Sequence, residues 1–267
     1  MSLHPVRIKL YTMTTATLMV AGLVATTVIP GTRGAIAAEA KLATEVSTWE
    51  GLLPPADLER IVQIYVEDMK RGMRSPGLFA RGRKKVAWQA RVIAVLGNIG
   101  VMTMKGENAQ KAAALRAAGI ELSEAAEDRN FKAAKKAYDA IGDYPAKIKP
   151  VDSTEVMDWN DVIDSETLMK SVSSIDSNAG KANKMSDRDF KKESMQFASL
   201  SQLMACLAVI SREHEEGEDW KKWCDEMREG SIVMAKAYAK GDLEAAKEAH
   251  NTLQKSCNDC HQVYRSE

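Results

Sequence analysis

Apolar positions recur along the chain at steps of three and four, the spacing that lines one face of an α-helix. Leu168, Val172 and Ile175 form one such stripe, and Phe190, Phe197, Leu200, Leu203, Leu207 and Ile210 form a longer one. Trp220, Trp223, Met227 and Met234 make a third, and Leu243, Ala246, His250, Leu253, Cys257, Cys260 and Tyr264 a fourth. Helix punctuation stands between the stripes. Ser186-Asp187-Arg188-Asp189 offers a start, Glu215-Glu216-Gly217 a break, and Gly241-Asp242 a stop followed by an N-cap. Residues 151–267 therefore predict four antiparallel helices with their stripes turned inward.

The pattern occurs twice. Trp49, Leu52-Leu53 and Leu58 match Trp159, Val162-Ile163 and Leu168 at an offset of 110. Phe79 and Val92-Ile93-Ala94-Val95-Leu96 match Phe190 and Leu203-Met204-Ala205-Cys206-Leu207 at 111. Phe131-Lys132-Ala133-Ala134-Lys135-Lys136-Ala137 matches Leu243-Glu244-Ala245-Ala246-Lys247-Glu248-Ala249 at 112. Three blocks in register argue for a duplicated unit over a chance alignment of Ala- and Lys-rich helices. The expected fold is all-α, with two tandem antiparallel four-helix-bundle-like repeats at 41–150 and 151–267. In the first, the last-helix seam is Phe131, Ala134, Tyr138 and Ile141. The stretch from Tyr144-Pro145 to Lys149-Pro150 reads as its end and the linker.

Composition and charge remove whole classes of function. The chain carries 37 basic and 37 acidic residues; without residues 1–40, which hold Arg7, Lys9, Arg33 and Glu39, the count is 34 against 36. No basic field points to nucleic acid. No Gly-rich phosphate loop, metallohydrolase motif or nucleophilic triad is present, so the chain is not expected to be an enzyme. Residues 1–40 read as an export signal. Arg7 and Lys9 precede an apolar run from Met13 to Ile29, with small-residue cleavage sites at Ala35-Ile36-Ala37 or Ala38-Glu39-Ala40. The run is long enough that an uncleaved anchor is the alternative. No later stretch is expected to be long and apolar enough to span a bilayer.

The chemistry is concentrated at the other end. Cys257-Asn258-Asp259-Cys260-His261 is the attachment pattern of a c-type haem. Two thiols must add to two vinyl groups on one porphyrin edge, and an adjacent imidazole must reach the iron. Positions i, i+3 and i+4 of a helix share a face and meet that demand. A zinc half-site would need a further ligand, and a redox dithiol would not need His261. In the first repeat the matching positions are Pro145, Ile148 and Lys149, so haem belongs to the second alone.

A Cys-x-x-Cys-His-x-x-Tyr-Arg sequence closing the last helix of a bundle resembles the cytochrome c′ family, the class II c-type cytochromes. The resemblance rests on Cys257, Cys260, His261, Tyr264 and Arg265, covers about 151–267, and reaches 41–150 only as a degenerate copy. It implies one covalent haem c with His261 as proximal ligand of the iron, in a periplasmic bundle that transfers single electrons to redox partner proteins or binds small gases such as NO and CO. It implies Tyr264 and Arg265 at the haem edge. Low-spin members of the family place a methionine of the first helix opposite the histidine, and Met169 stands at that place here; Leu168 facing the iron, or Met169 as core filler, is the alternative. Members often pair as homodimers through their first two helices, and here the haem-less repeat is a candidate for the partner's place, so monomer and homodimer are both open. His250, two turns before Cys257, reads as a structural residue of the seam. Cys206 and Cys224 lie about equally far from the turn near Glu215, and an oxidising compartment would allow a disulfide if their helix faces meet.

Overall fold

The computed structural model of the chain describes Trp49, residues 51–214 and residues 217–264. In the first half, α1 (Pro55–Lys70), α2 (Pro76–Thr103), α3 (Glu107–Glu127) and α4 (Phe131–Gly142) follow one another. A short α5 (Trp159–Val162) leads to α6 (Ser165–Ala182), α7 (Asp187–His214), α8 (Glu218–Ala239) and α9 (Leu243–Tyr264). The described residues contain no strand.

The helix starts follow from local chemistry. Ser75 accepts from the Leu78 amide ahead of Pro76, Asn130 from Ala133, Asp164 from Thr167, Ser186 from Asp189 and Asp242 from Ala245. Each supplies a side-chain oxygen to an otherwise unpaired first-turn amide. Gly241, at φ 69°, ends α8 in the left-handed region that glycine enters at little cost.

The helix bounds recur at the offsets read from the sequence. α2 and α7 are both 28 residues long, and their ends differ by 111 positions (76 to 187, 103 to 214). α1 and α6 start 110 apart (55 to 165), and α4 and α9 start 112 apart (131 to 243). The two repeats pack reciprocally: α1 lies on α7, and its equivalent α6 lies on α2. Trp49 and its counterpart Trp159 touch, ring centroids 5.4 Å apart. Asp57 and Arg60 of α1 both bond the Ser199 hydroxyl of α7, each at 2.7 Å. One hydrophobic core runs through both halves, from Trp49 and Leu58 to Tyr238 and Leu253.

The stretch joining the repeats is fastened down. Arg116, buried in α3, donates to Asn98 Oδ1 at 2.7 Å and to the Glu155 carbonyl at 2.6 Å. Asn98 in turn takes the Met157 amide at 3.1 Å and donates to the Met157 carbonyl at 3.0 Å. Burial holds the Arg116 guanidinium below its ordinary pKa, with Glu155 opposing. These bonds satisfy a charge that would otherwise be costly to bury.

One expectation is corrected. α2 and α7 are both long and apolar enough to cross a membrane by length and composition. Their apolar windows are 83% and 78% buried inside the fold, which makes them the central core helices of the two repeats. The expected leader and its cleavage sites, residues 1–40, lie outside the described residues.

Candidate functional site

Along α9, Leu243, Ala246, Ala249, His250, Leu253 and Ser256 are buried, Cys257 and Cys260 are half-buried, and His261 and Tyr264 are exposed. Burial fades toward the end of α9, although α8 still runs beside it. Tyr264 is edge-on to Trp220 and Trp223 (centroids 5.2 and 5.8 Å), which sit in the first two turns of α8. The attachment residues therefore lie near one end of the bundle, with both cysteines half-buried at its margin. Tyr264, 41% exposed, is held by these two indoles. Arg265 lies outside the described residues.

The α8–α9 register brings in a residue that the helix stripes passed over. Trp220 faces Tyr264, and Gly230 lies so close to Leu253 that a Cβ there would meet the leucine Cβ at 3.3 Å. In an antiparallel pair these two contacts put Cys224 opposite Cys260. Cys206 and Cys224 are both buried free thiols, not joined to each other.

On the other side, α6 is tied to α9 by polar bonds. His250 Nε2 is 2.7 Å from Asp176 Oδ1, His250 Nδ1 is 3.0 Å from the Asn183 amide nitrogen, and Gln254 donates to Asp176 at 3.5 Å. His250 is thus a satisfied core histidine, as its place on the seam suggests. Its partners were not found from sequence, although Asp176 carried a signal: it stands one turn after Val172 on an otherwise apolar stripe. The bonds fix the helices as antiparallel, with Asp176 level with Gln254. Seven residues further toward the start of α6, about 10 Å at ~1.5 Å per residue, Met169 comes level with the stretch from Cys257 to His261. Leu168 beside it is fully buried and Met169 partly so.

The donor set fits a covalent haem. Two half-buried thiols one turn apart precede an exposed imidazole, and no hydrogen bond among the described residues occupies the His261 ring. Among those residues no three His, Cys, Asp or Glu side chains converge to hold a bare metal ion, so a zinc site lacks its ligands. Burial first, then the Asp176 and Cys260 charges, pushes the Cys257 thiol up to about 11. Burial likewise raises Cys260, and takes Cys224 to about 11 with Cys260 and Asp225 adding and Ser211 and Arg212 opposing. All three thiols are held protonated at neutral pH, so the folded chain offers little thiolate.

A stability effect follows with a definite sign. A thiol raised from 9.0 to about 11 by folding contributes stability that is intact below pH 9 and lost as pH rises through 11. The haem-free chain is expected to lose up to about 1.4 kcal/mol per pH unit for each thiol in that window. Denaturant titrations at about pH 8 and about pH 11 measure it. Once Cys257 is a thioether its share disappears.

A helical chain whose last helix ends in a paired thiol and an adjacent imidazole has the donor set that a covalent haem requires. The cytochrome c′ family model matches residues 211–265, the end of α7 through α8 and α9 to Arg265. The resemblance read from Cys257, Cys260 and His261 therefore has a match over this C-terminal region; cytochrome c′ proteins bind haem c and are typically exported. Comparison with curated proteins gives no match, and neither does comparison with solved structures.

Proposed function

We propose that the protein is a periplasmic c-type cytochrome that carries single electrons through one haem, attached at Cys257 and Cys260. His261 is the proximal ligand of the iron and Met169 the distal one. The observation that supports the reading is the antiparallel pairing of α6 with α9, which brings the start of α6, with Met169, toward the stretch from Cys257 to His261. When bound, the haem supplies a one-electron ferric/ferrous couple. The chain does the rest. Cys257 and Cys260 fix the macrocycle edge to the margin of the bundle, near enough to the surface for outer-sphere transfer to a partner. Trp220, Trp223 and Tyr264 form an aromatic wall at that end. Leu168 and Val172 exclude water from the α6 side, and thioether ligation by Met169 favours the ferrous state. No residue set supplies distal acid–base chemistry, so a carrier is proposed rather than an enzyme.

The test is carbon monoxide added to the ferrous protein. A closed His261/Met169 site gives a low-spin spectrum that CO leaves unchanged, and Met169→Ala gives a high-spin spectrum that CO shifts. A wild-type spectrum that already shifts with CO would replace electron carriage by binding of NO or CO at an open site.

The reciprocal packing of the repeats supports a second expectation. The faces of α6 and α7 through which a second copy would pair are covered by α2 and α1 of the same chain. The exported protein is therefore expected to be a monomer, and a solution mass of twice the chain would contradict this.

A further inference from the structure

The two repeats tie their first and last helices together at the same place, but with different chemistry. In the haem-less repeat Tyr138 donates to the Val66 carbonyl at 3.0 Å. Its equivalent in the second repeat is His250, at an offset of 112, and the equivalent of Val66 is Asp176, at 110. There the bond is His250 Nε2 to Asp176 Oδ1 at 2.7 Å, with His250 only 3% exposed. A phenol and a main-chain carbonyl are enough to hold the helices. The haem-bearing repeat instead holds them with a pair that can take up and release a proton.

Its surroundings suit two proton states. In the neutral ring, Nε2–H donates to Asp176 and Nδ1 accepts from the Asn183 amide. The Asn183 Oδ1 atom is buried and has no hydrogen-bond partner. Rotation of that amide would present Oδ1 to Nδ1–H of a doubly protonated ring, so Asn183 can serve either form. The groups facing the pair are Asn183, which caps the end of α6, Gln254 and Cys257 from α9, and Tyr238 from α8, whose phenol is raised by burial and by the Asp176 charge. The Tyr238 hydroxyl also lacks a partner, and α7 contributes Phe190 and Phe197 against its ring. From His250 to Cys257 is seven residues, about 10 Å along α9.

We infer that the His250–Asp176 pair is a proton-linked strut: it positions α6 against α9 and couples protonation of His250 to the charge of the haem iron. The inference rests on the cytochrome reading above. When a one-electron donor protein reduces the iron from ferric to ferrous, the site loses one positive charge, and the ring takes one proton from water at Nδ1. Oxidation returns the electron to an acceptor protein and the proton to water. A protonated ring disfavours the ferric state, so the reduction potential rises as pH falls. For one proton per electron, a tenfold change in proton activity moves the potential by up to about 59 mV.

The experiment measures the midpoint potential of the holoprotein from about pH 5 to about pH 8, the span in which imidazoles ordinarily titrate. The His250 ring nitrogens are followed by NMR in both the ferric and the ferrous state. The double variant His250→Tyr with Asp176→Val rebuilds the solution of the first repeat, and Asp176→Asn is the milder companion should the double variant fold poorly. His214→Gln controls for the described histidine that is neither in the pair nor assigned to the iron. The expected result is a sloping wild-type potential, a His250 titration that shifts between ferric and ferrous protein, and a slope reduced by at least half in Asp176→Asn and in the double variant but kept in His214→Gln. A flat wild-type profile, or an equal slope in the Asp176 and His250 variants, overturns the inference while leaving the cytochrome reading intact. A protein without redox-active haem would instead overturn that reading.

Discussion

Replacing Cys257 and Cys260 together by serine yields a helical protein from which denaturation strips all haem. The two sulfurs are the only covalent link the chain offers at that end, since the first repeat has Pro145 and Ile148 at the equivalent positions. Cys224 lies opposite Cys260 but belongs to another helix and cannot reproduce the one-turn spacing that spans a porphyrin edge. The fold itself is expected to survive. Cys257 and Cys260 are half-buried, and the packing of α9 is carried by Leu243, Ala246, His250 and Leu253. The measurement is absorbance of the denatured, extracted protein, with helicity recorded in parallel. Red haem still bound to the denatured double variant would remove the attachment assignment.

Gly97→Ala is expected to destabilise the fold by about 3 kcal/mol or more, the upper part of the range for overpacking a core. The reason is a close crossing of α2 and α3. A Cβ at Gly97 would lie 2.4 Å from the Arg116 amide nitrogen and 2.7 Å from the Ala112 carbonyl oxygen. Both are main-chain atoms, so no side chain can turn aside and the helices must part. Gly119 makes the reverse approach, 2.7 Å from the Ala94 amide nitrogen. The movement would also disturb Arg116, which pins the joining stretch at Glu155. The haem residues lie in the other repeat, so the variant keeps its covalent haem while its denaturant midpoint falls. A loss below about 1 kcal/mol would mean that the crossing relaxes far more easily than its contacts imply.

Much of this architecture is readable from spacing. The stripes at Leu168, Val172 and Ile175 and from Phe190 to Ile210 are buried as their periodicity requires. The Gly241-Asp242 stop and cap stand where the sequence puts them. The offsets of 110, 111 and 112 reappear as matched helix ends. These features are legible because they are local: a period, a cap or a repeat needs only neighbours in the chain.

What the sequence hid is set by contacts between helices. Cys224 joins the site through its place opposite Cys260, which depends on how α8 and α9 slide against each other. Asp176 and Asn183 gain their meaning from His250, 74 and 67 positions away. The seam pattern puts Cys257 and Cys260 on the inward face of α9 near one end of the bundle, and there they are half-buried. Periodicity tells which face turns inward, not how deeply the neighbouring helices cover it. The apolar content of α2 and α7 had the same ambiguity: it satisfies a membrane span as well as a core helix, and only their burial between neighbouring helices decides.

The most direct test is the intact mass of the exported chain after denaturation and acid extraction, paired with its reduced absorption spectrum. One haem retained through two thioether bonds, on a fragment containing Cys257 and Cys260, is the expected result. A chain that comes through extraction with no added mass, or with haem bound elsewhere, would contradict the assignment of this protein as a c-type cytochrome.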